Sequence, residues 1–326
     1  MIEPVLVTGA TGFVGSSLCR SLLDSGYTVR ALHRKTSSLT MLEGLPVELC
    51  VGNILDAESL KPALKDVTYV FHAAAQSAYW RDPDSVTQTS VDGTRNVLKA
   101  ALDAGVKRVV LTSSLAAMGV PDDGALLTEE NIFNLPPDKF RYGYSKYQAE
   151  QEALRFLHQG LDVVILNPSI VLGAGDVNQI GGSMVTESAR GWGFFYPRGG
   201  TNYVHIDDVV AGHVAALKRG VSGERYILGG ENLTYYDAIT TINEVVGRKP
   251  PWLKVPVWIT EPGAYLADWT RPFLHLPFDS NHLRMSRYDV FCDAAKARLE
   301  LSVPATKSFR QAVEESYEWY LSRGVI

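Results

Sequence analysis

The sequence predicts an α/β protein, a doubly wound parallel sheet with a smaller, irregular C-terminal domain. Three observations carry this. Short apolar strands alternate with helical stretches from Val5 to Asn167. The first strand runs into a glycine-rich turn, "VLVTGATGFVG", in which Gly9, Gly12 and Gly15 recur every third residue. After Asn167 the alternation loosens into glycine-, proline- and aromatic-rich segments. Alternating strand and helix implies parallel strands joined by right-handed crossovers.

Val5–Val7 form a short apolar run with β-branched ends, as expected of a fully buried strand. Beyond Gly15, Leu18, Leu22 and Leu23 fall at helical spacing, and Gly26 stands where the helix should stop. The glycines therefore occupy a strand-to-helix turn. Glycine permits left-handed backbone and close approach by another group, and amides at a helix N-terminus favour an anion. The turn is a phosphate-binding candidate. Further strands are expected at Thr28–His33, Val47–Val51, Tyr69–Ala73, Arg108–Thr112 and Val163–Asn167, with helices in "AESLKPALKD", "SVTQTSVDGTRNVLKAALDAG" and "YSKYQAEQEALRFLHQG". In such sheets ligands bind beyond the carboxyl ends of the strands. "NYVHIDDVVAGHVAALKRG" returns to strand then helix, and "GERYILGG" adds a strand. Residues 1–172, rejoined by 203–229, are expected to form a dinucleotide-binding domain, and 173–202 with 230–326 a substrate domain. Trp252, Trp258, Tyr265, Trp269, Phe273 and Phe278 crowd the latter, as core or as the wall of an apolar pocket. The scarcity of Lys and Arg in 257–269 argues against a membrane-surface segment there.

A chain of 326 residues can bury a large core. Charged residues are 21% and hydrophobic ones 46%, as in ordinary soluble proteins. A net charge of -5 leaves no basic footprint for nucleic acid or anionic lipid. Cys19, Cys50 and Cys292 are far apart and odd in number, so neither a disulfide framework nor a zinc site is expected. No leader is expected before Val5, and no apolar run of about 18 residues suggests a membrane span. A cytoplasmic location fits.

Two groups carry chemistry. Tyr142 and Lys146, in "YGYSK", share one helix face. A phenol with pKa ~10 exchanges protons poorly at neutral pH, and a nearby ammonium lowers that value. A tuned phenol is a competent general acid or base. Thr112, Ser113 and Ser114 stand at a strand end, where a hydroxyl can bond a substrate oxygen.

Glycine turn, serine tract and YxxxK occur in that order. With "HAAA" at 72–75, "SVDGT" at 90–94, "NPSIVLGAGD" at 167–176 and "YVHIDDVVAGH" at 203–213, the chain resembles the extended short-chain dehydrogenase/reductase family over nearly its whole length. Within it, the branch of dihydroflavonol reductases, 3β-hydroxysteroid dehydrogenases and hopanoid-associated sugar epimerases is most similar, the last of these in "GERYILGGENLT". The resemblance implies a Rossmann fold and a role for each motif. Gly9, Thr11, Gly12, Phe13, Val14 and Gly15 would form the pyrophosphate turn. Ser114 would polarise the substrate oxygen, Tyr142 would be the acid/base, and Lys146 would hold the ribose hydroxyls and lower the Tyr142 pKa. Asn53, where the family usually has Asp, and Ile54 would flank the adenine. Ala74, Ala75 and Thr112 would line the cofactor channel, and Pro168, Ser169 and Ile170 would pass near the nicotinamide. The family often has Asn where Ser90 stands, a departure that tilts toward the reductases. Many relatives pair through the helices holding 96–102 and 142–157, so a homodimer is expected.

The second strand ends in His33, Arg34 and Lys35 with no acid. NAD sites usually place Asp or Glu there to bind both ribose hydroxyls, whereas Arg binds phosphate in bidentate fashion. NADP is the expected cofactor, NAD the alternative. The expected activity is NADPH-dependent reduction of a ketone or aldehyde. An NAD-dependent sugar epimerase is the alternative, and a non-catalytic dinucleotide sensor a third reading. Candidate substrate-lining residues are Gln76, Ser77, Tyr79, Trp80, Met118, Ser183, Met184 and Trp192.

Overall fold

The computed structural model describes residues 3–76, 83–270, 280–303 and 306–326. Its centre is a seven-stranded, all-parallel sheet. The strands are β1 (Pro4–Thr8), β2 (Thr28–His33), β3 (Glu48–Val51), β4 (Tyr69–His72), β5 (Arg108–Thr112), β6 (Val163–Pro168) and, entering last, β10 (Arg225–Leu228). Across the sheet they run β10-β6-β5-β4-β1-β2-β3. Between β6 and β10 the chain forms β7 (Ile170–Leu172), β8 (Phe195–Tyr196) and β9 (Gly200–His205). The chain leaves β1 in one direction, to β2 and β3, and later in the other, to β4 and β5. That reversal opens a crevice between β1 and β4. The register aligns Thr8 with both Leu32 and His72, and His72 with Leu111, so the strands end together and their following loops share one edge.

Two apolar layers hold the sheet. On one face α1 (Phe13–Asp24) and α7 (Ile206–Arg219) bury Leu18, Leu22, Val209 and Val210 against Val5, Val7 and Phe71. On the other, α2 (Ala57–Leu64), α4 (Gly93–Asp103) and α5 (Arg141–Leu157) bury Leu60, Leu98 and Ala153 against Leu6, Val70 and Val109. Each of these side chains is almost wholly withdrawn from water, worth about 1.5–3 kcal/mol for a buried Leu or Val. The helix expected across 85–105 is interrupted. A short α3 (Pro83–Thr87) passes through a π-turn at Gln88–Asp92 before α4. The wide turn carries Ser90 inward, where Ser145 donates to it from α5 at 3.3 Å.

The second unit is built on a smaller sheet, in which β9 pairs with β7, β11 (Glu231–Thr234) and β13 (Asp289–Val290). β7 pairs with 203–205 of β9 in this smaller sheet, while α7 and β10 return to the large one. The reason lies in the pairing partners: β10 lies beside β6, leaving β9 to the C-terminal strands. Around this sheet lie α6 (Ser183–Ala189), α8 (Tyr235–Val245) and α12 (Phe309–Ser322); α9 (Thr260–Thr270) and α10 (Ser280–Met285) pack on each other, α11 (Ala295–Glu300) packs back on β10, and β12 (Leu253–Lys254) pairs with β8. Phe273 and Phe278 lie outside the described residues.

Candidate active site

The glycine turn sits at the crevice. Gly9 has φ +69, and a Cβ there would lie 2.7 Å from the Ala74 backbone on the neighbouring strand's loop. A Cβ on Gly15 would lie 2.1 Å from the Gly9 carbonyl oxygen. These two glycines let strand, turn and helix close on one another. Gly12 differs: its nearest neighbour is 3.3 Å away, and it caps α1 without a side-chain hydrogen bond. The first turn of α1 holds no acid, so its amide dipoles face outward as an anion site. Beneath the turn, His72 is bonded at Nδ1 to Thr8 and at Nε2 to Thr94, at 2.7 and 3.0 Å. Burial pushes its pKa down to about 3. A neutral imidazole thus pins the loop of Ala73–Ala75.

At the end of β2, His33 is half-buried and Arg34 and Lys35 are exposed. No carboxylate pairs with either cation among the described residues. The Arg34 amide is tied back by Ser37 Oγ, which fixes the turn and leaves the guanidinium outward. Asn53 spends its side-chain oxygen on the Leu55 amide. Ile54 is buried against Gly93.

Ser114, Tyr142 and Lys146 converge beyond β5. Ser114 follows the strand in extended backbone; its Oγ accepts from the Ala116 amide at 3.2 Å, and its side chain faces the Tyr142 phenol. Burial pushes that phenol up, with Ser114 opposing. The expected lowering of Tyr142 by Lys146 is not what this geometry produces. The ammonium is instead turned to the Thr112 carbonyl at 3.2 Å. Burial brings Lys146 down to about 8, while nearby Glu150 opposes. Thr112 also departs from expectation. Its hydroxyl pairs with His213 Nε2 on α7 at 2.8 Å, so its carbonyl, not its side chain, faces the site.

Ser113 points the other way, into a buried network absent from the sequence reading. It donates to Glu150, which also accepts from Asn167 at 2.6 Å and from Arg225 at 3.3 Å. The Asn167 amide donates to the Ser114 carbonyl as well, at 2.9 Å. Burial raises the Glu150 pKa and these donors oppose it. The network ties α5, β5, β6 and β10 together directly behind Ser114 and Lys146. Glu150 lies four residues after Lys146, the one signal by which spacing reveals it. Asn167 and Arg225 join through tertiary contact alone.

Pro168 is buried, and Ser169 and Ile170 are half-buried at the mouth of β6. Ser169 Oγ is buried without a hydrogen-bond partner among the described residues. Of the substrate-lining candidates, Met118 needs correction. It is fully buried in a core with Leu115, Leu127 and Ile227, because the turn after Ser114 folds it inward. Met184 packs in the second unit's core beside Tyr203, and Ser183 closes a local turn onto the Ile180 carbonyl. Gln76 is half-buried, and Trp192 is exposed and stacked on Phe194. Ser77, Tyr79 and Trp80 lie outside the described residues.

An uncapped helix N-terminus over close-packed glycines and an orphaned hydroxyl at the mouth of β6 fit a nicotinamide dinucleotide. Residues 5–229 match the NAD dependent epimerase/dehydratase family. The chain is 36% identical to a provisionally named dihydroflavonol 4-reductase of Synechocystis sp., covering 100% of this chain and 97% of that one. It is 33% identical to sterol demethylase protein B of Methylococcus capsulatus, over 98% and 99%. Its fold is similar to a nucleoside-diphosphate-sugar epimerase from Pseudomonas aeruginosa, with TM-score 0.84, 26% identity and coverage of 99% and 98%. The chain belongs to the NAD-dependent epimerase/dehydratase family, the extended short-chain dehydrogenases/reductases. It is an NAD(P)-dependent enzyme. Among the described residues no helix is long and apolar enough to cross a membrane.

Proposed function

We propose that the protein reduces a ketone or aldehyde to an alcohol with NADPH. The observation that carries this reading is the convergence of Ser114 and the Tyr142 phenol, with a buried Lys146 one helical turn along. When bound, the reduced nicotinamide supplies a hydride for the carbonyl carbon. Ser114 holds and polarises the carbonyl oxygen. Tyr142 gives that oxygen its proton, and its raised pKa keeps the phenol protonated through neutral pH. Gly9, Thr11, Gly12, Phe13, Val14 and Gly15 hold the pyrophosphate. Asn53 and Ile54 would flank the adenine, Ala74 and Ala75 would line the cofactor channel, Pro168, Ser169 and Ile170 would lie near the carboxamide, and Lys146 would hold the ribose. Gln76 and Trp192 remain as candidates facing the substrate.

An NADPH-oxidation screen over aldehydes and ketones tests the reading. Turnover with a carbonyl supports it. NAD that survives purification, together with no carbonyl turnover, replaces it with the epimerase, which the full-length likeness to the Pseudomonas protein favours as second reading. The screen carries a pH test as well. Lys146 is charged below about 8 and loses its proton above. kcat/KM for reduction is expected to be level through neutral pH and to fall as pH rises through that value, because kcat/KM reports free-enzyme groups. Lys146→Arg, which keeps its charge, is expected to move the fall upward. A level wild-type profile well above that pH removes Lys146 from the reaction.

NADP selectivity rests on Arg34 and Lys35. One charge-assisted bond to the 2′-phosphate is worth about a tenfold preference or more. NADPH is expected to bind at least about tenfold tighter than NADH, and Arg34→Ala to erase most of that difference while sparing NADH. Titration calorimetry of both cofactors measures it, and a preference for NADH unaltered by Arg34→Ala overturns the assignment. The reading includes a homodimer through α4 and α5, which sedimentation tests.

A further inference from the structure

Helix α9 is amphipathic the wrong way round. Its inward positions, Thr260, Ala264 and Ala267, are small and buried. Its outward positions, Pro262, Tyr265, Leu266 and Trp269, repeat at the spacing of one helix face and are exposed. Trp269 is 74% exposed, and Trp258, in the turn leading into α9, is 77% exposed. Just upstream, Trp252 is 72% exposed beside exposed Leu253. Three of the chain's six tryptophans thus stand in solvent within one short segment. A soluble surface helix normally buries its large apolar residues and exposes its small or charged ones. The exposed face of α9, with Trp258 leading into it, is apolar surface of the kind that marks a contact.

The chemistry of the segment selects the partner. Tryptophan and tyrosine combine an apolar body with one polar group, the combination that suits the boundary between water and lipid. The stretch 257–269 holds no Lys or Arg, which by itself disfavours a bilayer. The cations come from immediately before it: Arg248, Lys249 and Lys254 are all exposed and alternate with Trp252 and Leu253 in "RKPPWLK". β12 carries Lys254 and is fixed by pairing to β8. The acid in the first turn of α9, Glu261, is taken up by Lys139 at 2.8 Å. α9 carries one further acid, Asp268; the other described outward side chains are chiefly aromatic, aliphatic and cationic. We propose that α9 and the 248–258 approach to it dock on a lipid bilayer containing anionic headgroups. The aromatics enter the interfacial layer, and Arg248, Lys249 and Lys254 meet the phosphates. The Lys139–Glu261 pair joins α9 to the chain just before α5, three residues ahead of Tyr142. Docking therefore sets the candidate active site beside the bilayer surface.

The test uses the purified full-length chain with vesicles of phosphatidylcholine alone or mixed with phosphatidylglycerol, so it is independent of turnover. The protein is expected to sediment with the mixed vesicles, with tryptophan emission shifted to the blue, and much less with phosphatidylcholine. Trp258→Ser combined with Trp269→Ser is expected to weaken partitioning at least roughly tenfold, and Lys254→Gln by about fivefold. Circular dichroism and NADPH titration check that each variant is folded. Lys254→Gln, a change at an exposed side chain, keeps the test decisive if the tryptophan variant is unstable. Three results overturn the proposal: no sedimentation with either vesicle, binding indifferent to both variants, or a wild-type dimer that the tryptophan variant dissolves, which makes α9 a contact between copies.

Discussion

Tyr142→Phe is expected to cut turnover by roughly 10²–10⁴ while leaving the fold and NADPH affinity unchanged. The ring stays, so the packing of α5 against the site stays. Only the hydroxyl is removed, and it is the group that contacts Ser114. Without it the alkoxide oxygen formed on hydride arrival has no positioned proton donor and must take its proton from water. Because the phenol is held up by burial, no lower-pKa state of Tyr142 has to be prepared before reduction. Steady-state kinetics beside a cofactor titration separates chemistry from binding. Wild-type turnover in the variant refutes the role. A loss confined to NADPH affinity assigns Tyr142 to cofactor binding alone.

Gly12→Val is expected to abolish nucleotide binding with a much smaller effect on the stability of the free protein. The three glycines of the turn are not equivalent. Gly9 needs a left-handed φ of +69 and contact with Ala74, and Gly15 packs on the Gly9 carbonyl. Substitution of either damages the fold itself. Gly12 has φ -88, a value valine adopts, and its Cβ direction meets only the Gly9 oxygen at 3.3 Å. A branched side chain there points into the space before the α1 amides, where a pyrophosphate must lie. Calorimetric titration reads the affinity and thermal unfolding the stability. Unchanged affinity would show that the glycines serve only to shape the turn.

Much of this protein is legible along the chain because its chemistry is local. The glycine turn follows from three residues and a strand–helix boundary. Tyr142 and Lys146 share a face because a helix repeats every 3.6 residues. The basic end of β2 is a run of neighbours. Each expectation rested on residues close in sequence, where backbone geometry leaves few alternatives. Met118 follows a strand end in sequence, the setting of a pocket-lining loop, whereas the turn after Ser114 directs it into a core assembled from Leu127 and Ile227.

By itself the sequence pointed to the parallel sheet, to a site beyond the strand ends and to the Tyr142–Lys146 pair through periodicity and spacing, and to Ser114 through its family resemblance. Tertiary structure decided the rest. It gathered Glu150, Asn167 and Arg225, drawn from α5, β6 and β10, behind Ser114. It turned Lys146 to the Thr112 carbonyl, and it set the Tyr142 phenol by burial. It placed β9 in the smaller sheet and left the large side chains of α9 outward. The physical reason is common to all of these. Burial and charge environment depend on which distant segments close over a residue, and pattern along the chain does not carry that information.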